Sequence, residues 1–105
     1  MTDKALAKKL LQQLMEIREF EDKIMDLLAK NIAEGGSHLY AGMEAVAVGV
    51  MSQLASDDYI TSTHRGHGHA IAKDGDLNAL MAEILGKKTG VCKGKGGSLH
   101  LADLS

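Results

Sequence analysis

Apolar residues recur at steps of three and four along the opening of the chain: Leu6, Leu10, Leu14, Ile17, Phe20, Ile24, Leu27 and Leu28. That spacing places one stripe along one face of a long helix. Thr2 or Asp3 is positioned to cap it, and Glu16, Arg18, Glu19, Glu21, Asp22 and Lys23 supply its wet side. Gly35-Gly36 is the predicted stop, because glycine readily enters the left-handed conformation beyond a helix C-terminus. Such a helix serves equally well as a core element or as an arm against a partner subunit.

After a short connection through Ser37-His38-Leu39-Tyr40-Ala41-Gly42, residues 44–54 are apolar on nearly every side and rich in Ala and Val. They predict a buried helix with close-approaching neighbours; a buried strand is the competing reading, which length and the alternating Ala disfavour. Glu44 stands out as a carboxylate in the first turn, suited to the helix dipole or to a basic neighbour. Ser56-Asp57-Asp58 is a turn. Residues 59–63 have the β-branched and aromatic character of one short strand. Past the histidines, Ala70-Ile71-Ala72 is helix-compatible, and Lys73-Asp74-Gly75-Asp76 turns the chain, with Asp76 as N-cap. Leu77, Leu80, Met81, Ile84 and Leu85 then define a short amphipathic helix ended by Gly86. From Gly86 onward the chain is rich in Gly and Lys and carries no acid until Asp103. Such a segment does not pack a core by itself. Its backbone N–H groups and lysines can close over an anion, and its glycines can move as a lid. The organisation read from these shifts is one incomplete domain: a helical arm at 1–36, a helix–strand–helix segment at 37–85, and a Gly/Lys loop at 86–105.

Composition narrows the picture. With 105 residues the chain is one small domain at most. Aromatics make up 3%, so Leu, Ile, Val, Ala and Met must build the core and helices are favoured. A net charge of -2 argues against nucleic-acid binding through global basicity. The lone Cys92 rules out an internal disulfide and suits a reducing cytoplasm. No stretch approaches the roughly 20 apolar residues that span a bilayer, so no membrane is expected. The absence of Pro, unusual for a complete α/β domain, leads to the expectation of a fragment.

The chemistry concentrates in Thr61-Ser62-Thr63-His64-Arg65-Gly66-His67-Gly68-His69, which holds three of the five histidines. A strand running into a Gly-punctuated polar turn delivers side chains where α/β proteins hold ligands. Arg65 offers a planar fork of donors for phosphate or carboxylate, and imidazoles can donate, accept or move a proton. A plain solvated loop is the alternative. A metal held by these histidines lacks a supporting Cys pair and the tetrahedral set that zinc needs, so no metal site is assigned. Cys92 lacks a paired base, which leaves a thiol nucleophile without support. The Gly/Lys tail never meets the Walker A spacing.

Four ordered motifs carry a resemblance. They are Gly36-Ser37-His38-Leu39-Tyr40-Ala41-Gly42-Met43-Glu44-Ala45, Asp57-Asp58-Tyr59-Ile60-Thr61-Ser62-Thr63-His64-Arg65-Gly66-His67-Gly68, Gly86-Lys87-Lys88-Thr89-Gly90, and Lys93-Gly94-Lys95-Gly96-Gly97-Ser98-Leu99-His100. In that order the sequence resembles the N-terminal part of the alpha subunits of thiamine-diphosphate-dependent 2-oxo-acid dehydrogenases, and within them the acetoin type. Pyruvate-type members usually show Tyr-Arg where this chain has His64-Arg65. The resemblance covers essentially the whole chain.

It implies an α/β thiamine-diphosphate-binding fold of which these residues form a mostly helical segment with one short strand. It implies that His38 and His64 are catalytic-cleft residues, that His64 and Arg65 face the cofactor diphosphate, and that His67, Ser98 and His100 lie near the active-site channel. The implied activity is cleavage of acetoin, or of a related 2-oxo acid, with transfer of the acyl unit to a lipoyl carrier. The implied partners are a beta subunit, in an assembly of two alpha and two beta chains, and a lipoyl-bearing acyltransferase. Mg²⁺ ligands are expected in a Gly-Asp-Gly…Asn motif beyond residue 105. Met43 replaces a usual Gln or Glu, Asp74 a common Gly, and Leu99 a common Met. The alternative is a truncated, non-catalytic helical interaction fragment. Under either reading, so small a chain buries its long helix poorly and self-association is expected.

Overall fold

A computed structural model describes residues 3–104. The long helix α1 covers Lys4–Ala29. At 26 residues it is about 39 Å long, most of the molecule's 44 Å long dimension. Asp3 caps it by accepting the Leu6 N–H at 2.7 Å; Thr2, the other candidate, lies outside the described residues. Three shorter helices follow: α2 at Glu44–Met51, α3 at His67–Ala72 and α4 at Leu77–Ile84. Among the described residues there is no strand.

The helices α1, α2 and α3 each pack against the other two. Their contact residues are Ile17, Phe20 and Ile24 from α1, Ala47 and Val48 from α2, and Ile71 and Ala72 from α3; Tyr40, and Leu80 and Ile84 from α4, complete the core. Fully burying each large side chain of this set contributes about 1.5–3 kcal/mol.

Several expectations shift. The helix stop is not Gly35-Gly36: α1 ends at Ala29, where Asn31 takes a left-handed φ of 56°. The N–H groups of Asn31 and Ile32 then donate to the Leu28 and Leu27 carbonyls at 3.1 and 2.9 Å. That pairing is the Schellman closure, with asparagine in the role usually taken by glycine. Glu21, assigned to the wet face, is 0% exposed and bonds to His67. The second helix is shorter than 44–54, and only one face is buried: Val46 and Val50 are 62% and 54% exposed. Residues 59–63 have irregular backbone, since no second segment runs beside them to complete a ladder. His67 and His69 sit within α3 and not in a loop. Asp74, noted as standing for a common Gly, has a φ of 63°. That left-handed backbone explains the glycine preference there, and Asp74 offsets the strain by accepting a hydrogen bond from Gln13 Nε2 at 3.3 Å.

Where α3 passes the Leu39–Tyr40 segment, the Tyr40 ring lies directly against the Gly68 backbone. A Cβ on Gly68 would run into the Tyr40 ring. Gly68→Ala is therefore expected to lower stability by about 1–3 kcal/mol, measured by urea unfolding. Gly36→Ala, where a Cβ meets open space, should stay within about 0.5 kcal/mol of the parent.

Candidate functional site

The polar chemistry of the molecule divides into an exposed lip and a buried scaffold behind it. On the lip, the irregular segments before α2 and before α3 bring His38 and His64 together. Their rings meet edge to face with centroids 4.7 Å apart. Both side chains are exposed, and Arg65 beside them is half-buried. Arg65 Nη1 donates to the Leu39 carbonyl at 2.5 Å, which ties the guanidinium to the residue next to His38. The guanidinium has five N–H donors, and only this one has a protein acceptor among the described residues. The structure thus brings His38, His64 and Arg65, 26 positions or more apart along the chain for two of the three pairs, into one patch.

Behind the lip, Tyr40 is buried and its hydroxyl lies 3.0 Å from His69 Nε2. Burial, aided by the Glu44 charge, pushes the Tyr40 hydroxyl above its ordinary value. Burial likewise pushes the His69 imidazole down, and His69 Nδ1 is buried without a hydrogen-bond partner among the described residues. Glu44 accepts hydrogen bonds from Arg18 Nε and from the Gly42 N–H, the latter at 2.9 Å. The Arg18 hydrogen bond is the main reason that the Glu44 carboxyl is held at about 2. Glu44 sits in the first turn of α2 and is also paired with a basic group, so both placements read from the sequence are present.

The Gly/Lys tail contains the largest surprise. Its N–H groups do close over an anion, and that anion is the chain's own Glu83, which is 0% exposed. Glu83 Oε2 accepts from the Cys92 and Gly94 N–H groups at 2.7 and 2.8 Å, and Oε1 from those of Gly96 and Gly97 at 2.7 and 3.1 Å. Burial is the largest single influence on Glu83 and pushes its carboxyl up. The four N–H bonds together outweigh it and hold the group below its ordinary 4.5. Gly96 is required sterically: a Cβ there would strike the His100 carbonyl. Lys87, Lys88, Lys93 and Lys95 remain exposed. His100 is exposed, and Cys92 Sγ points its S–H to the Ala102 carbonyl at 3.2 Å, so neither joins the histidine lip by any contact in the structure.

His67 and Ser98, expected near a channel, are both buried and bonded to each other. Sequence reasoning missed Glu21 and Glu83 entirely. One signal was present for Glu83: it sits at the i+3 position from Leu80 on the apolar stripe of α4, where a charge must find partners. Among the described residues no group of three His, Cys, Asp or Glu side chains is placed to hold a metal ion, and no helix is long and apolar enough to cross a membrane.

Comparison with known proteins agrees with the motif order. The chain matches the dehydrogenase E1 component family over residues 12–105. It is 63% identical over 93 residues to the alpha subunit of acetoin:2,6-dichlorophenolindophenol oxidoreductase from Bacillus subtilis, covering 89% of this chain and 28% of that protein. The corresponding subunit from Cupriavidus necator is 48% identical over 103 residues, covering 98% of this chain and 31% of that protein. The pyruvate dehydrogenase E1 component subunit alpha of Porphyra purpurea is 42% identical over 92 residues, covering 88% and 27%. The chain thus spans under a third of the length of these relatives.

Two acid-side predictions follow from the carboxylates. Glu44 and Glu83 both have folded pKa values below the ordinary 4.5. Their contribution to stability is complete above that value and is lost as pH falls through the folded ones, for Glu44 between 4.5 and about 2. Urea unfolding followed from neutral pH downward should show a decline confined to that acid range. Glu83→Gln turns two acceptor lone-pair sites into donors facing N–H groups. It should cost about 2–4 kcal/mol at neutral pH and flatten part of the acid decline.

Proposed function

The chain belongs to the dehydrogenase E1 component family, and from that premise we propose that it forms one wall of the site in a thiamine-diphosphate-dependent oxidoreductase that cleaves acetoin and passes the acyl unit to a lipoyl carrier. The observation that carries the reading is the lip itself: two exposed imidazoles in contact, with a guanidinium beside them that commits one donor to an acceptor among the described residues. Acetoin is preferred over a 2-oxo acid because identity to the acetoin-type relatives, at 63% and 48%, exceeds that to the pyruvate-type one, at 42%.

The residues present fit a diphosphate. Arg65 would take its oxygens with the uncommitted part of the fork, while the Leu39 carbonyl keeps the guanidinium from swinging away. His64 adds a neutral or charged donor next to it. His38, across the ring contact, is placed to orient a substrate hydroxyl and to accept or return its proton. When bound, thiamine diphosphate supplies the carbanion-stabilising chemistry that no side chain here can. Mg²⁺ is assigned to the family's Gly-Asp-Gly…Asn segment and not to residues of this sequence.

The same reading extends to architecture and partners. Residues 59–63, with Tyr59 89% exposed, would gain their strand partner inside the complete α/β sheet. The arm 1–36, the segment 37–85 and the loop 86–105 act as parts of one incomplete domain. The outer faces of α1 and α2 leave Leu11, Met15, Val46 and Val50 more than half exposed, which suits burial against a beta subunit or a second copy. Interaction with a lipoyl-bearing acyltransferase follows from the proposed activity, and Cys92 as a free thiol is compatible with a reducing cytoplasm.

The test is a thiamine diphosphate titration of the complete alpha–beta assembly. Arg65→Ala should raise the dissociation constant by roughly one to two orders of magnitude, the loss of one or two charge-assisted bonds. Arg65→Lys should recover part of it, since an ammonium keeps the charge and not the fork. Unchanged affinity in Arg65→Ala, with weakened affinity in His38→Ala, would show the phosphate contact to be wrongly assigned.

A further inference from the structure

Three buried polar groups have no part in the chemistry assigned so far. Glu21 and His67 are 0% exposed and Ser98 7%. Glu21 Oε1 and Oε2 lie 2.8 and 3.1 Å from His67 Nδ1, and His67 Nε2 lies 2.8 Å from Ser98 Oγ. Glu21 belongs to α1, His67 opens α3, and Ser98 sits in the Gly/Lys loop directly after Gly97, one of the donors to Glu83. One imidazole therefore joins three parts of the fold that are far apart in sequence. The Phe20 ring stands edge-on to it with centroids 6.2 Å apart.

Carboxylate, imidazole and hydroxyl in this order match the arrangement of hydrolytic triads. Here the hydroxyl is all but closed to solvent, so a substrate cannot reach it and the arrangement serves position. An ionised carboxylate accepts only, so its contact requires a proton on Nδ1. With Nδ1 carrying the ring's single proton, Nε2 is an acceptor and the Ser98 hydroxyl is its donor. Each bond thus fixes the direction of the next. His67 also follows Arg65 by two positions and His64 by three. Whatever holds its ring holds the end of the lip.

We propose that His67 is a positioning residue: held by Glu21 as the Nδ1–H tautomer, it fixes Ser98 and locks the Gly/Lys loop against the segment that carries His64 and Arg65. The consequence for the reaction rests on the proposed cofactor role of that segment; the lock itself does not.

Nitrogen NMR of the imidazole in the unmodified full chain reads the tautomer without any substitution. A proton on Nδ1 and a bare Nε2 is the result expected, and a proton on Nε2 overturns the proposal. Hydrogen exchange at the Gly96, Gly97 and His100 amides reads the lock. Glu21→Ala and Ser98→Ala should each speed exchange roughly tenfold, the effect of one buried hydrogen bond. The double variant should exchange no faster than the faster single one, because both act through one ring. His67→Gln, whose amide reaches toward the Nε2 side, should retain more protection than His67→Asn, whose amide mimics Nδ1.

Additive effects, or full protection in Ser98→Ala, overturn the lock. So does capture of Ser98 by a fluorophosphonate probe in the unmodified protein, since it would make the hydroxyl a reachable nucleophile. Thiamine diphosphate titration of the assembly separates the two readings. If Arg65→Ala weakens binding and Ser98→Ala does not, the positioning role fails. If neither does, the cofactor reading fails and the lock is judged on exchange and tautomer alone.

Discussion

A carboxylate out of reach of water must be surrounded by donors or give up its charge. Glu83 is surrounded by four backbone N–H groups from residues 92 to 97, with no lysine or arginine among its partners in the described residues. The loop is rich in Gly and Lys, and Val91 and Leu101 are the apolar residues it packs against the core. Beyond that packing and its own turn hydrogen bonds, Glu83 is the side chain around which residues 92 to 97 close. Because Gly96 and Gly97 are bound to Glu83, Ser98 is delivered to His67, and through His67 the loop is connected to Glu21 on the long helix. A tail that composition presents as a solvated or mobile strip is therefore a fixed wall.

This arrangement separates two kinds of polar chemistry. Carboxylates that must keep their place are buried and supplied with donors: Glu83 by its amides, Glu21 by His67, and Glu44 by the Gly42 N–H and an Arg18 that itself reaches solvent. Groups available to a ligand stand at the surface and are under-committed: His38, His64 and most of the Arg65 fork. His69, half-buried and bonded to Tyr40 through one nitrogen only, lies between the two classes. A site built this way needs no reorganisation of its scaffold when an anion arrives at the lip.

Much of this was legible in the sequence, and the failures have physical causes. The stripe on α1 and the capping roles of Asp3 and Asp76 were readable because periodicity and capping are local. The clustering of His38 with His64 and Arg65 came from motif order and not from spacing, since His38 and His64 stand 26 positions apart. Glu21 was misplaced because its partner is 46 residues away, and hydropathy alone assigns every carboxylate to water. Asn31 was overlooked as a helix terminator because a visible Gly pair lay just beyond it. The segment 59–63 has strand composition, but a ladder takes two segments, and composition reports on one.

The wall made by residues 92 to 97 depends most on Glu83 being ionised while fully enclosed. Carbon NMR of its side-chain carboxyl, titrated downward from neutral pH, tests this directly. The resonance should keep its carboxylate position below the ordinary 4.5, and the Cys92, Gly94, Gly96 and Gly97 amide protons should move together with it when it finally changes. A carboxyl that protonates at or above 4.5, with those four amides unmoved, would contradict it.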